Sequence, residues 1–371
     1  MHKKIIMHKI LVLNPGSTST KFAIYEDEKQ TAVYTIRHTT DEILRFQHVL
    51  DQFDFRYDLI MSTLAENNVN LSEFSLIMGR GGMIPPVESG VYEVNGVMLE
   101  TLRKHERGEH ASNLGAFLAD KIAKNIPGCR AYIADPVAVD ELEDVARVSG
   151  MPEIPRRTIF HALNHKATAR LHASKVGRNY EDLNLVVAHL GGGVTIGAHC
   201  KGRVVEVNQG LDGWGAISPE RAGTVDAGLL VRMCFSGKYT QHEIMRKLAG
   251  QGGLIAHCGS NNVQELVKKA EEGDSHVALM LHAFAYSVGK EIGAMLAVLK
   301  GEVDGVILTG GVAYNDYVVD YVKAMIEPLA KVFVYPGEDE MAALASNALR
   351  VLQGEQPKIF RVKEGYVDYS F

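Results

Sequence analysis

Leu11-Val12-Leu13-Asn14-Pro15-Gly16-Ser17-Thr18-Ser19-Thr20-Lys21-Phe22 is the stretch on which the reading of this chain turns. Its first part belongs to a short apolar strand predicted over residues 10–14. A turn of small residues follows at 15–20, and a second strand is predicted over 22–25. A polar turn at 26–30 and a third strand at 31–37 complete a run of hairpins, so the sheet is expected to begin antiparallel. The first turn offers backbone amides, four hydroxyls and the ammonium of Lys21. Successive amides in a tight turn form a nest for an anion, and small residues let a phosphate come close to the backbone. The same residue types also build an ordinary hairpin turn. No G-x-x-x-x-G-K-[ST] pattern occurs, which excludes a P-loop.

The same motif recurs half a chain later. A strand over 185–190 leads into Gly191-Gly192-Gly193 and then a strand over 194–199. The likeness between residues 10–25 and 184–199 points to a duplicated domain. Between the two lie a helix from Thr40 or Asp41 to about Phe53, a helix over 58–67, and a strand over 74–78 ending in Gly79-Arg80-Gly81-Gly82. A longer helix carries Leu114, Leu118, Ile122 and Ile126 at a spacing of four, and Pro127-Gly128 stops it. A strand over 130–134 ends at Asp135. In the second half a wide apolar stripe from Val277 to Leu299 predicts a core helix. A strand over 305–308 runs into Thr309-Gly310-Gly311, and a further strand covers 331–335. The last helix starts near Glu338 and is ended by Gly354. Strands and helices mixed in this way, with hairpins opening each half, predict two α/β domains facing one another across a cleft.

Size and composition agree. The 371 residues are too many for one compact core and suit two domains. Apolar residues make up 46% and charged residues 23%, with a net charge of −6, the balance of a soluble globular protein without a basic nucleic-acid patch. Cys129, Cys200, Cys234 and Cys258 are too far apart for a metal knuckle or redox pair and read as reduced thiols. The basic stretch Met1–Lys9 precedes an apolar run too short for a signal peptide, and no run is long enough to cross a bilayer. A cytoplasmic location is expected, with neither nucleic acid nor membrane as partner.

Three segments together carry a resemblance to the acetate and butyrate kinase family. Residues 11–22 resemble its first phosphate motif. Val187-Ala188-His189-Leu190-Gly191-Gly192-Gly193 resembles the second, and Leu308-Thr309-Gly310-Gly311-Val312-Ala313 the adenosine motif. The order and spacing span nearly the whole chain. A finer match is to the butyrate-using branch, through Gly79-Arg80-Gly81-Gly82, Phe160-His161-Ala162-Leu163-Asn164-His165-Lys166 and Pro336-Gly337-Glu338-Asp339-Glu340-Met341. Acetate-using members carry a histidine and valines around the first arginine, and an asparagine where Gly192 stands here.

The resemblance implies the actin-like (ribonuclease H-like) fold, two domains with mixed sheets and a nucleotide cleft. The domains are expected at 1–155 and 156–371, with the C-terminal helix segment, about 342–371, packing back on the first. It implies ATP/ADP and Mg2+ as cofactors, a short-chain fatty acid as substrate, and a homo-oligomer, dimer or larger. Asn14, Gly16, Ser17, Ser19 and Lys21 are placed at the first phosphate motif, Gly191, Gly192 and Gly193 at the second, Gly310 and Gly311 at the adenosine. Arg80 and Arg221 become the clamp on substrate and transferring phosphoryl group. Guanidinium suits this, since its planar fork bridges carboxylate and phosphoryl oxygens, whereas an arginine met alone reads as a surface side chain.

His161 and His189 are implied as neutral or charged donors to the phosphoryl group. His161 and His165 are four apart, but Ala162 stands where a zinc protease carries glutamate, which disfavours zinc. Asp135 matches a carboxylate that orients substrate or metal. Glu340, with Asn14, is placed at the metal, although a shift of one would make it Asp339; the acidic residues there also suit the first turn of a helix. The expected reaction is ATP plus a short fatty acid, butyrate or a branched analogue, giving ADP plus an acyl phosphate. An acetate or propionate kinase, and a non-enzymatic nucleotide switch of the same fold, are the alternatives.

Overall fold

The computed structural model describes residues 7–106 and 108–362. The first six residues of the basic N-terminal stretch, and the end of the segment expected at 342–371, lie outside them. Twelve strands are described: β1 (Lys9–Pro15), β2 (Ser19–Glu26), β3 (Lys29–Arg37), β4 (Phe74–Arg80), β5 (Val91–Glu93), β6 (Arg130–Ala134), β7 (Asn184–Leu190), β8 (Val194–Cys200), β9 (Arg203–Val207), β10 (Gly305–Gly310), β11 (Val332–Pro336) and β12 (Lys358–Ile359). The chain divides into two compact units. Unit 1 combines Met1–Val139 with Asp339–Phe371, and unit 2 is Asp140–Glu338. The division thus falls ahead of the border expected after residue 155. Residues 140–155 go with unit 2 because Glu141 and Glu143 bond to β9: Glu141 accepts from Val204 N–H at 2.8 Å, and Glu143 N–H donates to Val205 O at 3.1 Å.

Unit 1 holds a seven-stranded sheet in the order β12-β5-β6-β4-β1-β2-β3, and unit 2 a five-stranded sheet in the order β11-β10-β7-β8-β9. In unit 1, β1, β2 and β3 form the antiparallel run, β4 returns parallel beside β1, and β6 lies parallel beside β4. In unit 2, β7, β8 and β9 repeat that run, β10 returns parallel beside β7, and β11 beside β10. The duplication read from two similar turns is therefore a duplication of topology.

The central strands read as unbroken apolar runs because helices cover both faces. Ile10, Leu11, Val12 and Leu13 of β1 are wholly buried, as are Leu185, Val186, Val187 and Ala188 of β7. Helix Asn113–Ala123 turns Leu114, Leu118 and Ile122 onto Leu11, Leu13, Phe22 and Ile77. The 24-residue helix Ser275–Val298 turns Leu281, Phe284, Val288 and Ile292 onto β7, β8 and β10. A fully buried leucine or phenylalanine contributes about 1.5–3 kcal/mol, and truncating Phe284 to alanine would cost roughly 3–5 kcal/mol. Helix Glu340–Leu352 packs on β1 and β4 through Met341, Leu344 and Ala348, and Gly354, with φ of 111°, follows its end.

One element differs from expectation. The helix predicted from Thr40 or Asp41 to Phe53 is a five-residue helix, Thr40–Leu44, and a 3₁₀ turn, Val49–Gln52. Its start is capped by Thr39 in a reciprocal box with Glu42. The next helix, predicted from Asp58, begins at Phe53 directly after the 3₁₀ turn and runs to Glu66. That junction turns Gln52 inward, one helical turn ahead of Arg56, where both side chains are buried.

Candidate functional site

In unit 1 the site is built at the C-terminal ends of β1 and β4. The turn from Pro15 to Ser19 leaves Ser17 and Thr18 exposed. Arg56 lies beneath it with 0% exposure. Its guanidinium donates to Gly16 O at 2.8 Å, Ser19 O at 3.0 Å, Ser17 O at 3.5 Å and Thr20 Oγ1 at 3.1 Å. Gln52 Oε1 accepts two further bonds, at 3.1 and 2.8 Å. Thr18 O accepts from His38 N–H at 2.9 Å. Three carbonyls of the turn are thus held by the buried Arg56 cation, and the fourth by the backbone of His38. Burial pulls the Arg56 pKa down to about 10, so it stays charged at neutral pH. This is the electrostatic polarity that an anion-binding turn needs. Lys21 is exposed and lies opposite Asn14 across the β1–β2 ladder.

Beside the turn, Asn14, Arg80 and Glu340 form one cluster. Asn14 Nδ2 donates to Glu340 Oε2 at 2.7 Å, and Arg80 donates to Asn14 Oδ1 at 3.1 Å. Arg80 holds both carboxylate oxygens, at 2.9 Å to Oε2 and 2.6 Å to Oε1. The pair is about a fifth exposed, so the ions remain open to solvent on one side. Asp339 is occupied as helix N-cap, accepting from Ala342 N–H at 2.9 Å. The structure therefore places Glu340, and not Asp339, with Asn14 and Arg80.

The glycines around Arg80 are there for close approach. A Cβ on Gly79 would collide with the Gly115 carbonyl and one on Gly115 with the Arg80 carbonyl, so β4 and helix Asn113–Ala123 touch backbone to backbone. A Cβ on Gly81 would come within 2.6 Å of Pro136 Cβ, and one on Gly82 within 2.7 Å of Asn113 Cα. Asn113 Oδ1 then accepts from Met83 N–H at 2.8 Å, tying down the segment after Arg80. Asp135 follows β6 with φ of 37°, an uncommon backbone for a non-glycine residue. Its Oδ1 accepts from Gly90 N–H at 2.8 Å, and Asn347 Nδ2 approaches Oδ2 at 3.5 Å.

His110 joins this group although no sequence motif singled it out. Burial first, then the nearby Arg80 charge, lowers its pKa, with Glu340 opposing. Ser112 N–H donates to its Nδ1 at 3.2 Å, which leaves the ring hydrogen of the neutral form on Nε2.

In unit 2 the corresponding turn is Gly191-Gly192-Gly193. A Cβ on Gly193 would collide with the Arg221 guanidinium, so glycine here lets the arginine lie across the turn. Arg221 also bonds Gly210 O. Ser218 Oγ donates to Gly192 O at 2.8 Å, and Glu220 N–H donates to the same carbonyl at 3.2 Å, which fixes the Arg221 loop to the turn. A small pocket beside it is lined by Val194, Gln209, Trp214, Ala216 and Arg221. Thr309-Gly310-Gly311 ends β10: Gly310 has φ of 89°, a Cβ there would collide with Leu190 O, and its backbone exchanges bonds of 3.1 and 2.9 Å with Gly337.

His161 and His189 come together, their rings stacked at 3.9 Å. His161 precedes helix Ala162–Lys175 and its Nδ1 lies 2.9 Å from Thr195 Oγ1. His189 Nδ1 lies 2.8 Å from Asn164 Oδ1. Burial, with Arg221 nearby, pushes the His189 pKa down to about 3. Glu338 Oε2 stands 3.4 Å from His189 Nε2 and would favour the charged form. Its side chain is 46% exposed, so its charge is screened by water, and burial decides for a neutral ring. His165 is not at the turn. It is wholly buried, bonded to His199 at 3.2 Å and to Thr195 Oγ1 at 3.0 Å, and burial lowers both histidine pKa values, that of His165 to about 3. Arg221, lying against Gly193, brings positive charge to the second turn.

The Acetokinase family model matches residues 152–347. Butyrate kinase 1 and butyrate kinase 2 of Clostridium acetobutylicum are 51% and 49% identical to this chain, each over 94% of it and 98% of the relative. Among solved structures, acetate kinase from Porphyromonas gingivalis is 19% identical with a TM-score of 0.74, covering 93% of this chain and 100% of that one. A propionate kinase from Francisella tularensis subsp. tularensis, also 19% identical, gives 0.73 over 92% and 99%. At that identity the two structures establish the fold, an actin-like one with two mixed sheets. With half of the residues shared along nearly the whole length of the curated relatives, this chain belongs to the acetokinase family of carboxylate phosphotransferases.

Proposed function

We propose that the chain transfers the terminal phosphoryl group of ATP reversibly to the carboxylate of butyrate or a branched analogue, giving an acyl phosphate and ADP. The observation that carries the choice of acid is the 49–51% identity to proteins named butyrate kinase. The chemistry follows from the charges. The acceptor carboxylate is already an anion at neutral pH, so no strong base is needed. What the reaction needs is positive charge that holds two anions together and takes up charge as the phosphoryl group moves. Arg221 supplies it at the second turn, beside His161 and beside His189, whose ring is kept neutral by burial. Their part is to orient: His189 is set by Asn164 and His161 by Thr195. Arg80 is held in readiness by Glu340 and Asn14, and its fork suits a carboxylate. The Pro15–Ser19 turn, with Arg56 behind it, offers the exposed Ser17 and Thr18 to phosphate oxygens.

Mg2+ is proposed at Glu340 and Asn14, whose carboxylate and amide oxygens are the hard donors it takes. When bound it neutralises charge on the nucleotide phosphates. Among the described residues no helix is long and apolar enough to cross a membrane, and we place the enzyme in the cytoplasm, acting as a homo-oligomer. The decisive experiment traps the acyl phosphate with hydroxylamine while ADP is followed, across acetate, propionate, butyrate, isobutyrate and valerate. Strong hydroxamate formation with four-carbon acids, abolished in Arg221→Ala, is expected. Turnover with acetate alone would assign the chain to the acetate kinases. Nucleotide binding without hydroxamate from any acid would overturn the transfer and leave a nucleotide switch.

A further inference from the structure

The geometry points to a divalent transition-metal site, best suited to Zn2+, formed by His48, His105 and Glu109 in unit 1. Nothing in the phosphoryl-transfer reading uses these residues, and the inference does not rest on it. Their ligand atoms all lie within 4.8 Å of one another, the one such histidine–carboxylate group among the described residues. One oxygen of Glu109, Oε1, faces both rings, 2.7 Å from His48 Nδ1 and 3.5 Å from His105 Nδ1. The other, Oε2, accepts from Val49 N–H at 3.1 Å. That bond is the outer support that ligating carboxylates require, since it fixes the group without occupying the ligating oxygen.

Two further features argue for a metal rather than a hydrogen-bonded tether. His105 Nδ1 is buried and has no hydrogen-bond partner, although it points at Glu109. An orphaned buried nitrogen normally carries a cost, and a cation between ring and carboxylate would remove it. His105 also adopts φ of 53°, one residue after the end of helix Gly96–Arg103 at Lys104. This backbone is uncommon outside glycine, and it turns the His105 ring onto that of His48, stacked at 5.6 Å. Two imidazoles and one carboxylate, with the remaining position open to solvent, match zinc ligation, whereas Mg2+ and Ca2+ favour all-oxygen sites. Ligation would replace the His48–Glu109 hydrogen bond, displacing its proton.

The test is calorimetric titration of Zn2+ into the full chain, freed of metal by chelation and assayed in millimolar Mg2+. Co2+ replaces Zn2+ in a parallel spectrum. One site is expected in the wild type, with Co2+ bands of tetrahedral nitrogen–oxygen ligation and no thiolate charge-transfer band. His48→Gln, His105→Asn and Glu109→Gln should each weaken binding by more than the ~10–100-fold that loss of an outer support alone costs. Asparagine tolerates the left-handed backbone at 105, so that variant keeps the fold. Its melting temperature in chelator should match the wild type, while only the wild type should be raised by Zn2+. Equal binding by all three variants, a thiolate band, or no wild-type binding below millimolar Zn2+ would overturn the site.

Discussion

The turns Pro15–Ser19 and Gly191–Gly193 occupy the same place in a repeated topology and are built by opposite means. The first carries hydroxyl residues, and its cation, Arg56, is sealed beneath it and, among the described residues, bonds the turn's carbonyls, Thr20 and Gln52. The second has no side chains at all, and its cation, Arg221, lies directly against the glycines. A cation behind the backbone can only polarise it, whereas a cation beside the backbone can touch the ligand. Duplication thus kept the strand order while changing the place of the cation: beneath a cradle of carbonyls at one turn, directly against the glycines at the other.

Removing each cation should therefore fail differently. Arg221→Ala is expected to leave folding intact and to reduce kcat/KM roughly 10³-fold or more, about 4 kcal/mol of transition-state stabilisation, as with other arginines that act on a transferring phosphoryl group. Steady-state rates with butyrate and ATP, beside a melting curve, would show it. A tenfold loss or less would return the positive charge to the histidines. Arg56→Met should do the reverse. It strands several buried carbonyls at about 1–3 kcal/mol each, lowers the melting temperature, and raises the KM for ATP before it touches kcat. Arg56→Lys should recover only part, because a point charge cannot span the acceptors of a planar fork. If Arg56→Met melts like the wild type, the cradle does not depend on its cation.

Acid should separate the units next. His165, His189 and His199 are held neutral by burial, with folded pKa values well below the ordinary 6.5. Below pH 6.5 the unfolded chain binds protons that the folded one refuses. The stability these groups contribute is complete above that pH and is lost as pH falls towards 3, at about 1.4 kcal/mol per pH unit for each ring. Arg56 adds no slope there, being charged in both states. Urea midpoints between pH 4.5 and 7 should fall steeply, and His165→Gln with His199→Gln should flatten the curve. An unchanged slope would mean that those two rings are protonated in the folded protein.

How much of this was legible in the sequence follows the same division. Strands on both sides of the two turns were readable because apolar runs bounded by small residues have few other meanings, and β6 and the Ser275–Val298 helix were equally plain. The helices at Ala227–Cys234, Gln241–Leu248, Val263–Glu271 and Asp316–Ile326 were not placed, although Asp226, Thr240 and Asn262 cap the first three. The first two are short, eight residues each, and in them just one residue, Ile244, is buried, so the core hardly rests on them. Arg80, Asn14 and Glu340 came from motif likeness and cluster in the fold. Arg56 was invisible because a lone arginine ordinarily lies on the surface, and only the i, i+4 relation to Gln52, once seen buried, gives it away. His110 was missed for a related reason: what makes it notable is the charge of Arg80, a neighbour thirty positions away in sequence.

The smallest effect tests the finest distinction, between neighbouring carboxylates at the start of the last helix. Asp339 caps that helix through Ala342 N–H and Glu340 holds Arg80. Asp339→Ala should cost about 1 kcal/mol of stability, the usual worth of an N-cap, with kcat nearly unchanged. Glu340→Gln keeps the shape and hydrogen-bonding reach but loses the charge opposite Arg80, so it should leave melting almost unaltered and lower kcat and Mg2+ dependence together. Rate and melting curves of the two variants, measured side by side, decide it. Should Asp339→Ala lose the rate and Glu340→Gln keep it, the register at this helix would have to shift by one residue, and Arg80 would be waiting on the wrong carboxylate.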